Sequence, residues 1–207
     1  MLSWFGKKKR QRGSALRETA ARLNLSYSPA DKLHVLKLLS DFKLFGVGTR
    51  RTVKNLLWKD DHELDVKIRI FDYHYTVSTG KSSSTFKQTV FFVQSKSLGL
   101  PKFYMRPEHF LHKIGRWLGI EDIDFTSHEV FSDNYHLKGK EEGIIRDTFT
   151  EDVLHYFTFE KDWHLEGLNY YLIVYKDKER MQPDQIADFY EKGKMMFNLL
   201  SQGGYSV

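Results

Sequence analysis

The stretch Val66-Lys67-Ile68-Arg69-Ile70-Phe71-Asp72-Tyr73-His74-Tyr75-Thr76-Val77 decides the fold. Val66, Ile68 and Ile70 alternate with Asp65, Lys67 and Arg69, the period of two that a strand shows when one face is buried. From Phe71 the phase inverts, and Phe71, Tyr73, Tyr75 and Val77 alternate with Asp72, His74 and Thr76. A period-two strand cannot exchange faces without an extra residue, so a bulge or sharp bend is expected near Ile70 and Phe71. A strand passing from one layer into another is the alternative. Ser78 to Ser84 is rich in turn residues, and Thr85 to Gln94 reads as the returning strand of a long hairpin.

Outward from this hairpin the elements alternate in type. Ser14 looks like the cap of a short helix with Leu16, Ala20 and Leu23 on one face. Ser28-Pro29-Ala30-Asp31 offers a cap, a proline at the first helical position and an early acid, so a second helix is expected with Leu33, Leu36, Leu38 and Leu39. Arg51 to Trp58 and Lys102 to Met105 read as strands. Pro107 opens an expected helix carrying Phe110, Leu111, Ile114, Trp117 and Leu118, closed by Gly119. Ile123 to Phe131 and Asn134 to Leu137 look extended. Glu141 to Phe157 reads as helix, divisible in two by a capping box at Thr148-x-x-Glu151. Trp163 to Glu166 and Tyr170 to Tyr175 suggest a hairpin through Gly167-Leu168-Asn169, and Pro183 starts a last helix ending at Gly203-Gly204. Strands clustered ahead of helices favour an α+β fold, an antiparallel β-sheet with helices packed on one side. The expected organisation is a basic flexible arm over residues 1–13 and a single α+β domain over 14–207.

Composition narrows the chemistry. The chain has 207 residues, no cysteine and a formal charge of +5. Without cysteine there is no disulfide scaffold, thiolate zinc site or cysteine nucleophile. The charge is uneven. Residues 1–22 hold Lys7, Lys8, Lys9, Arg10, Arg12, Arg17 and Arg22 against Glu18 alone, while the remainder carries 25 basic and 26 acidic side chains. The basic balance thus belongs to the leading segment, whereas a nucleic-acid-binding domain normally shows a basic face on its folded part. No apolar run is long enough to span a bilayer. Leu2-Ser3-Trp4-Phe5 precedes the positive cluster and no apolar core of a secretory signal follows, so a cytoplasmic location is expected, with peripheral attachment at the inner membrane face through the arm.

The aromatic segment Phe71-Asp72-Tyr73-His74-Tyr75, the later Phe103-Tyr104-Met105-Arg106-Pro107-Glu108, and Asp122-Ile123-Asp124-Phe125 with Phe131, Tyr135 and Gly139 to Phe149 form a recognisable set. They resemble a group of uncharacterised bacterial proteins with an FDYxY strand and a later F-x-x-RPE element. The resemblance covers about residues 25–200. It implies no activity, cofactor or catalytic residue. Some members of that group place membrane helices before the domain, where this chain has its Trp-Phe-plus-basic arm.

Three function classes follow. In the first, a non-enzymatic interaction or scaffold module with a protein partner, Trp4 and Phe5 settle among lipid headgroups while Lys7, Lys8, Lys9, Arg10 and Arg12 meet anionic lipid. At about 1 kcal/mol each, the five charges contribute roughly 5 kcal/mol before entropy. In the second, the same charges neutralise phosphates of a nucleic acid, with the aromatic strands stacking bases. In the third, Asp72 and His74, on one face of the strand, form the acid/base pair of an enzyme. A bland reading stands beside each: a solubilising terminus, packed core aromatics, and the polar face of a half-buried strand.

Other chemistries fail on pattern. His109 and His112 lack the order and spacing of a zinc-protease helix. Thr79-Gly80-Lys81-Ser82 joins strand to strand and lacks the first glycine and the helix of a phosphate loop. Glu121, Asp122 and Asp124 lack the glycine and terminal glutamate of a calcium loop and read as a polar loop. No G-x-S-x-G elbow is present. Neither a metal nor a cofactor is expected.

Overall fold

The computed structural model describes residues 2–110 and 122–202, and the side chains of 11–109 and 122–201. The fold is α+β, with eight strands paired antiparallel and seven α-helices among the described residues. The chain forms two compact units, Met1–Phe91 with Lys178–Lys192, and Phe92–Asp177 with Gly193–Val207.

In the first unit, α1 (Leu2–Arg22) leads into β1 (Ser26–Ala30), α2 (Val35–Leu38), α3 (Lys43–Gly46), β2 (Thr49–Asp61), β3 (Val66–Thr79) and the start of β4 (Ser82–Ser95). The strand order is β1-β2-β3-β4. The long hairpin expected from the phase inversion is β3 and β4. The inversion has a different cause from the one expected, because β3 stays continuous and is buried on both faces from Ile68 to Tyr73. Phe71 and Tyr73 pack under Phe45, with ring centroids 6.2 and 4.6 Å away, and Tyr73 stacks on Tyr75. Alternation puts Ile70 and Asp72 on the opposite face. The extra residue belongs to β2, where the register slips between Lys54–Asp72 and Leu57–Ile70. Asn55 takes a left-handed φ of 50° there, a conformation asparagine tolerates.

Two helix starts also differ from expectation. α1 begins at Leu2 and passes Ser14 without a break. Its buried Leu16 and Ala20 are the expected apolar face, and at Gly13 an added Cβ would stand 3.1 Å from the Tyr27 hydroxyl. Ser28-Pro29-Ala30 is not a helix start but part of edge strand β1, where proline's missing N–H is tolerated. Asp31 does the capping from further back, accepting from the Val35 and Leu36 amides at 2.8 and 3.1 Å, and the helix it caps is one turn long.

The second unit holds β5 (Leu100–Pro107), α4 (Glu129–Asn134), β6 (Tyr135–Gly139), α5 (Glu142–Thr148), α6 (Glu151–Phe159), β7 (His164–Asn169) and β8 (Tyr171–Tyr175), with strand order β8-β7-β5-β6. α7 (Ile186–Gln202) contributes residues to both units. Phe103 meets Phe149 edge-on at 5.1 Å, Phe131 lies 6.1 Å from Phe149, and Tyr135 meets Phe157 at 5.6 Å. The apolar side of β5 and β6 thus packs against α4, α5 and α6. Glu141 to Phe157 is indeed two helices, but no capping box forms. Thr148 Oγ1 donates back to the Ile144 carbonyl at 2.8 Å and Thr150 makes no side-chain cap bond. Glu129 to Phe131, expected extended, begins α4. β7 runs on through Gly167, whose place against the Phe103 ring leaves no room for a Cβ, and the turn falls at Asn169-Tyr170, where Asn169 takes a left-handed φ of 52°. The helix expected after Pro107 opens as a single 3-10 turn, Glu108–Phe110, and the remainder of it lies outside the described residues, as does the Gly203-Gly204 stop.

Candidate functional site

Asp72 is where two separate expectations meet. It sits mid-strand on β3, 2% exposed, and receives Arg12 from α1. Arg12 Nε donates to Asp72 Oδ2 at 2.9 Å and Nη2 to Oδ1 at 2.8 Å, the planar two-bond pairing that guanidinium and carboxylate favour. The bulge residue Asn55 adds Nδ2 to Oδ2 at 2.8 Å, and is itself held by the Tyr27 hydroxyl at 2.9 Å. Thr89 on β4 donates to Oδ1 at 3.3 Å and accepts from the Met181 amide at 3.0 Å. Asp72 therefore receives four hydrogen bonds from three side chains. Arg17, one and a half turns beyond Arg12, lies over the Tyr27 ring at 5.5 Å.

His74, two residues along the same face, is not part of this network. Burial, followed by the nearby Lys54, pushes its imidazole down to about 4, with Asp72 opposing. The ring is therefore neutral at physiological pH. Its Nε2 is buried and makes no hydrogen bond. With the carboxylate saturated by Arg12, Asn55 and Thr89, the Asp72–His74 pairing has the residues of an acid/base dyad but not the bond that orients one.

The other expected contact residues divide in the same way. Arg12, one of the five cations of the arm, has a side chain only 10% exposed and is committed to Asp72. Trp4, Phe5, Lys7, Lys8, Lys9 and Arg10 lie on the helical backbone of α1, and their side chains fall outside the described residues. His112 is outside them too. His109 faces Asp162 at 3.4 Å, both exposed.

Two clusters in the second unit escaped the sequence reading. His136 on β6 is held between Asp122, 2.6 Å from Nδ1, and Glu108, with Lys138 3.3 Å from the other Asp122 oxygen. Glu108, Asp122 and His136 border an open cavity of about 550 Å³ lined also by Asp124, Glu129 and Asp133. Its carboxylates make it hostile to phosphate. The second cluster is buried on β5, β7 and β8. Tyr175 donates to Glu166 at 3.1 Å, its ring stacks on His164 at 4.9 Å, and the Tyr104 hydroxyl meets His164 Nδ1 at 3.3 Å. Burial drives both tyrosines far above their ordinary range, followed by the Glu166 charge. Only strand register brings these residues together, since Tyr104 faces Glu166 and His164 faces Tyr175. Nothing in the local sequence signals it. Among the described residues no group of three His, Cys, Asp or Glu side chains is placed to hold a metal ion, and no helix is long and apolar enough to cross a membrane.

No family model matches the chain, and no curated protein matches it. Among solved structures, the fold is similar to the crystal structure of the mycobacterial trehalose monomycolate transport factor A, TtfA. The TM-score is 0.65 at 13% identity, over 92% of this chain and 95% of that one. At that identity the likeness concerns the fold.

Proposed function

We propose that this chain is a non-enzymatic module that rests peripherally on an anionic bilayer and serves a protein partner in the transport of amphipathic molecules. The observation that carries the proposal is the Arg12–Asp72 pair. It ties α1 to the body of the first unit at Arg12, and the helix continues from there to Leu2. Lys7, Lys8, Lys9, Arg10, Trp4 and Phe5 thus belong to a helix whose base is fixed.

The pair also revises the electrostatics. With Arg12 committed internally, four cations remain for a surface, about 4 kcal/mol at 1 kcal/mol each. That corresponds to an affinity near millimolar, a weak and reversible attachment that ordinarily needs a second contact. The transport role draws on TtfA, a mycobacterial transport factor to whose fold this chain's is similar.

The reading is tested by offering the purified chain, at low salt, anionic vesicles, neutral vesicles and duplex DNA in parallel. Retention by anionic vesicles alone is expected. Retention by DNA with none on vesicles would replace the bilayer with a nucleic acid, and retention by neither would remove both.

A further inference from the structure

We infer that residues 32–50 form a second bilayer-contacting surface, at the end of the first unit towards which α1 projects. The inference rests on the membrane reading above and supplies the second contact which that reading requires.

The segment is built with apolar residues to spare. Val35, Leu39, Phe42, Leu44 and Phe45 are buried, and they already cover the Phe71 and Tyr73 side of β3. Consecutive turns hold the backbone, with Phe42 N bonded to Leu39 O, Phe45 N to Phe42 O and Val47 N to Leu44 O, all between 3.2 and 3.3 Å. Leu33, Leu38 and Val47 remain outside, 38%, 44% and 37% exposed. Single exposed leucines are ordinary; three within fifteen residues, in a segment where cations outnumber acids, are not.

That charge decides the occupant. Lys32, Lys37, Arg50 and Arg51, in or next to the same segment, are exposed as well. Asp41 is the one acid in the segment, and Asp31 just before it is spent on the Val35 and Leu36 amides. Arg51 also braces the loop, donating to the Gly46 and Gly48 carbonyls at 2.8 to 3.1 Å. Exposed apolar side chains in a cation-rich segment match the boundary of an anionic phospholipid bilayer, where acyl chains lie under negative headgroups.

Register places this surface and α1 at one end. Ala30 pairs with Lys54 and Thr49 with Thr76, so residues 31–48 hang from the Thr76 end of β3. The β2–β3 turn, with Leu64, closes the other end beyond Asp61 and Val66. α1 leaves Arg22 just before Ser26, which is level with Trp58 and Arg69, and reaches Arg12 on Asp72, level with Lys54. It therefore advances towards the Thr76 end and continues that way to Leu2.

The absence of cysteine allows a direct test on the full chain. Leu38→Cys, Leu33→Cys and, as control, Leu64→Cys are each labelled with an environment-sensitive fluorophore. They are mixed with vesicles of phosphatidylcholine containing phosphatidylglycerol. A blue shift at positions 33 and 38 with none at 64 is expected. Neutralising Lys32, Lys37 and Arg50 to Gln should weaken partitioning about 100-fold, while circular dichroism stays unchanged. Vesicle binding with positions 33 and 38 silent would overturn this inference and leave the α1 reading standing. No binding of the wild-type chain would overturn both. A shift that appears without vesicles and grows with protein concentration would assign the surface to a second copy instead, and so overturn the lipid assignment.

Discussion

Arg12 and Asp72 are sixty residues apart in the chain and form two parallel hydrogen bonds of 2.9 and 2.8 Å, with almost no solvent access to either side chain. Removing one member of such a pair strands a charge, at a cost of about 3–5 kcal/mol. Arg12→Ala and Asp72→Asn should each lower the urea midpoint accordingly. The double variant should cost at least about 1 kcal/mol less than the sum, because the second change removes the stranded partner. Strict additivity in urea unfolding would show that the two residues do not stabilise each other.

His74 gives the chain a pH dependence with a definite sign. Its folded value is about 4, below the 6.5 of a free imidazole, so between these values the unfolded chain binds the extra proton. The stability from keeping the ring neutral is complete above about pH 6.5 and is lost as pH falls towards 4. The expected loss is on the order of 2 kcal/mol, discounted because the ring is only part-buried. Urea midpoints of His74→Gln at pH 7 and pH 4.5 should differ less than those of the wild type. An equal difference in both would place the acid sensitivity elsewhere.

Two glycines of the second unit should respond in opposite directions to alanine. At Gly139 an added Cβ would stand 2.6 Å from the Lys102 carbonyl oxygen and collide with Ile145, so Gly139→Ala should cost upwards of about 2 kcal/mol. Gly143, on α5, has open space around it, and Gly143→Ala should stabilise by about 0.5–1 kcal/mol through the unfolded chain. Melting temperatures that move in the same direction for both would contradict this packing.

What could be read from the sequence follows from which forces are local. The β3–β4 hairpin was legible because alternation and turn residues are nearest-neighbour signals. The bulge expected near Ile70 and Phe71 does fall at that level of the ladder, but not on their strand. Alternation shows which residues are apolar, not whether one face is buried or two, and β3 is covered on both. The extra residue lies instead at Asn55, on the partner strand. Ser28-Pro29 misled because proline at a helix start and proline on a sheet edge share one cause, an amide with no hydrogen to donate. At the candidate site, Asp72 and Arg12 were each picked out, but for different chemistries. Their pairing is a tertiary fact without a sequence period. The same holds for Glu166, which meets Tyr175 through strand register, and for His136, which meets Asp122 across fourteen residues.

The central claim is that a helix anchored by Arg12 offers its remaining cations to an anionic bilayer. The most direct measurement is vesicle co-sedimentation of the wild-type chain and a Lys7→Gln, Lys8→Gln, Lys9→Gln, Arg10→Gln variant, at low and high salt. At low salt the wild type should sediment with anionic and not with neutral vesicles. Neutralising the four charges should lower its partitioning by about 10²–10³-fold, and high salt should do likewise. Equal sedimentation of the two proteins at low salt would contradict the account.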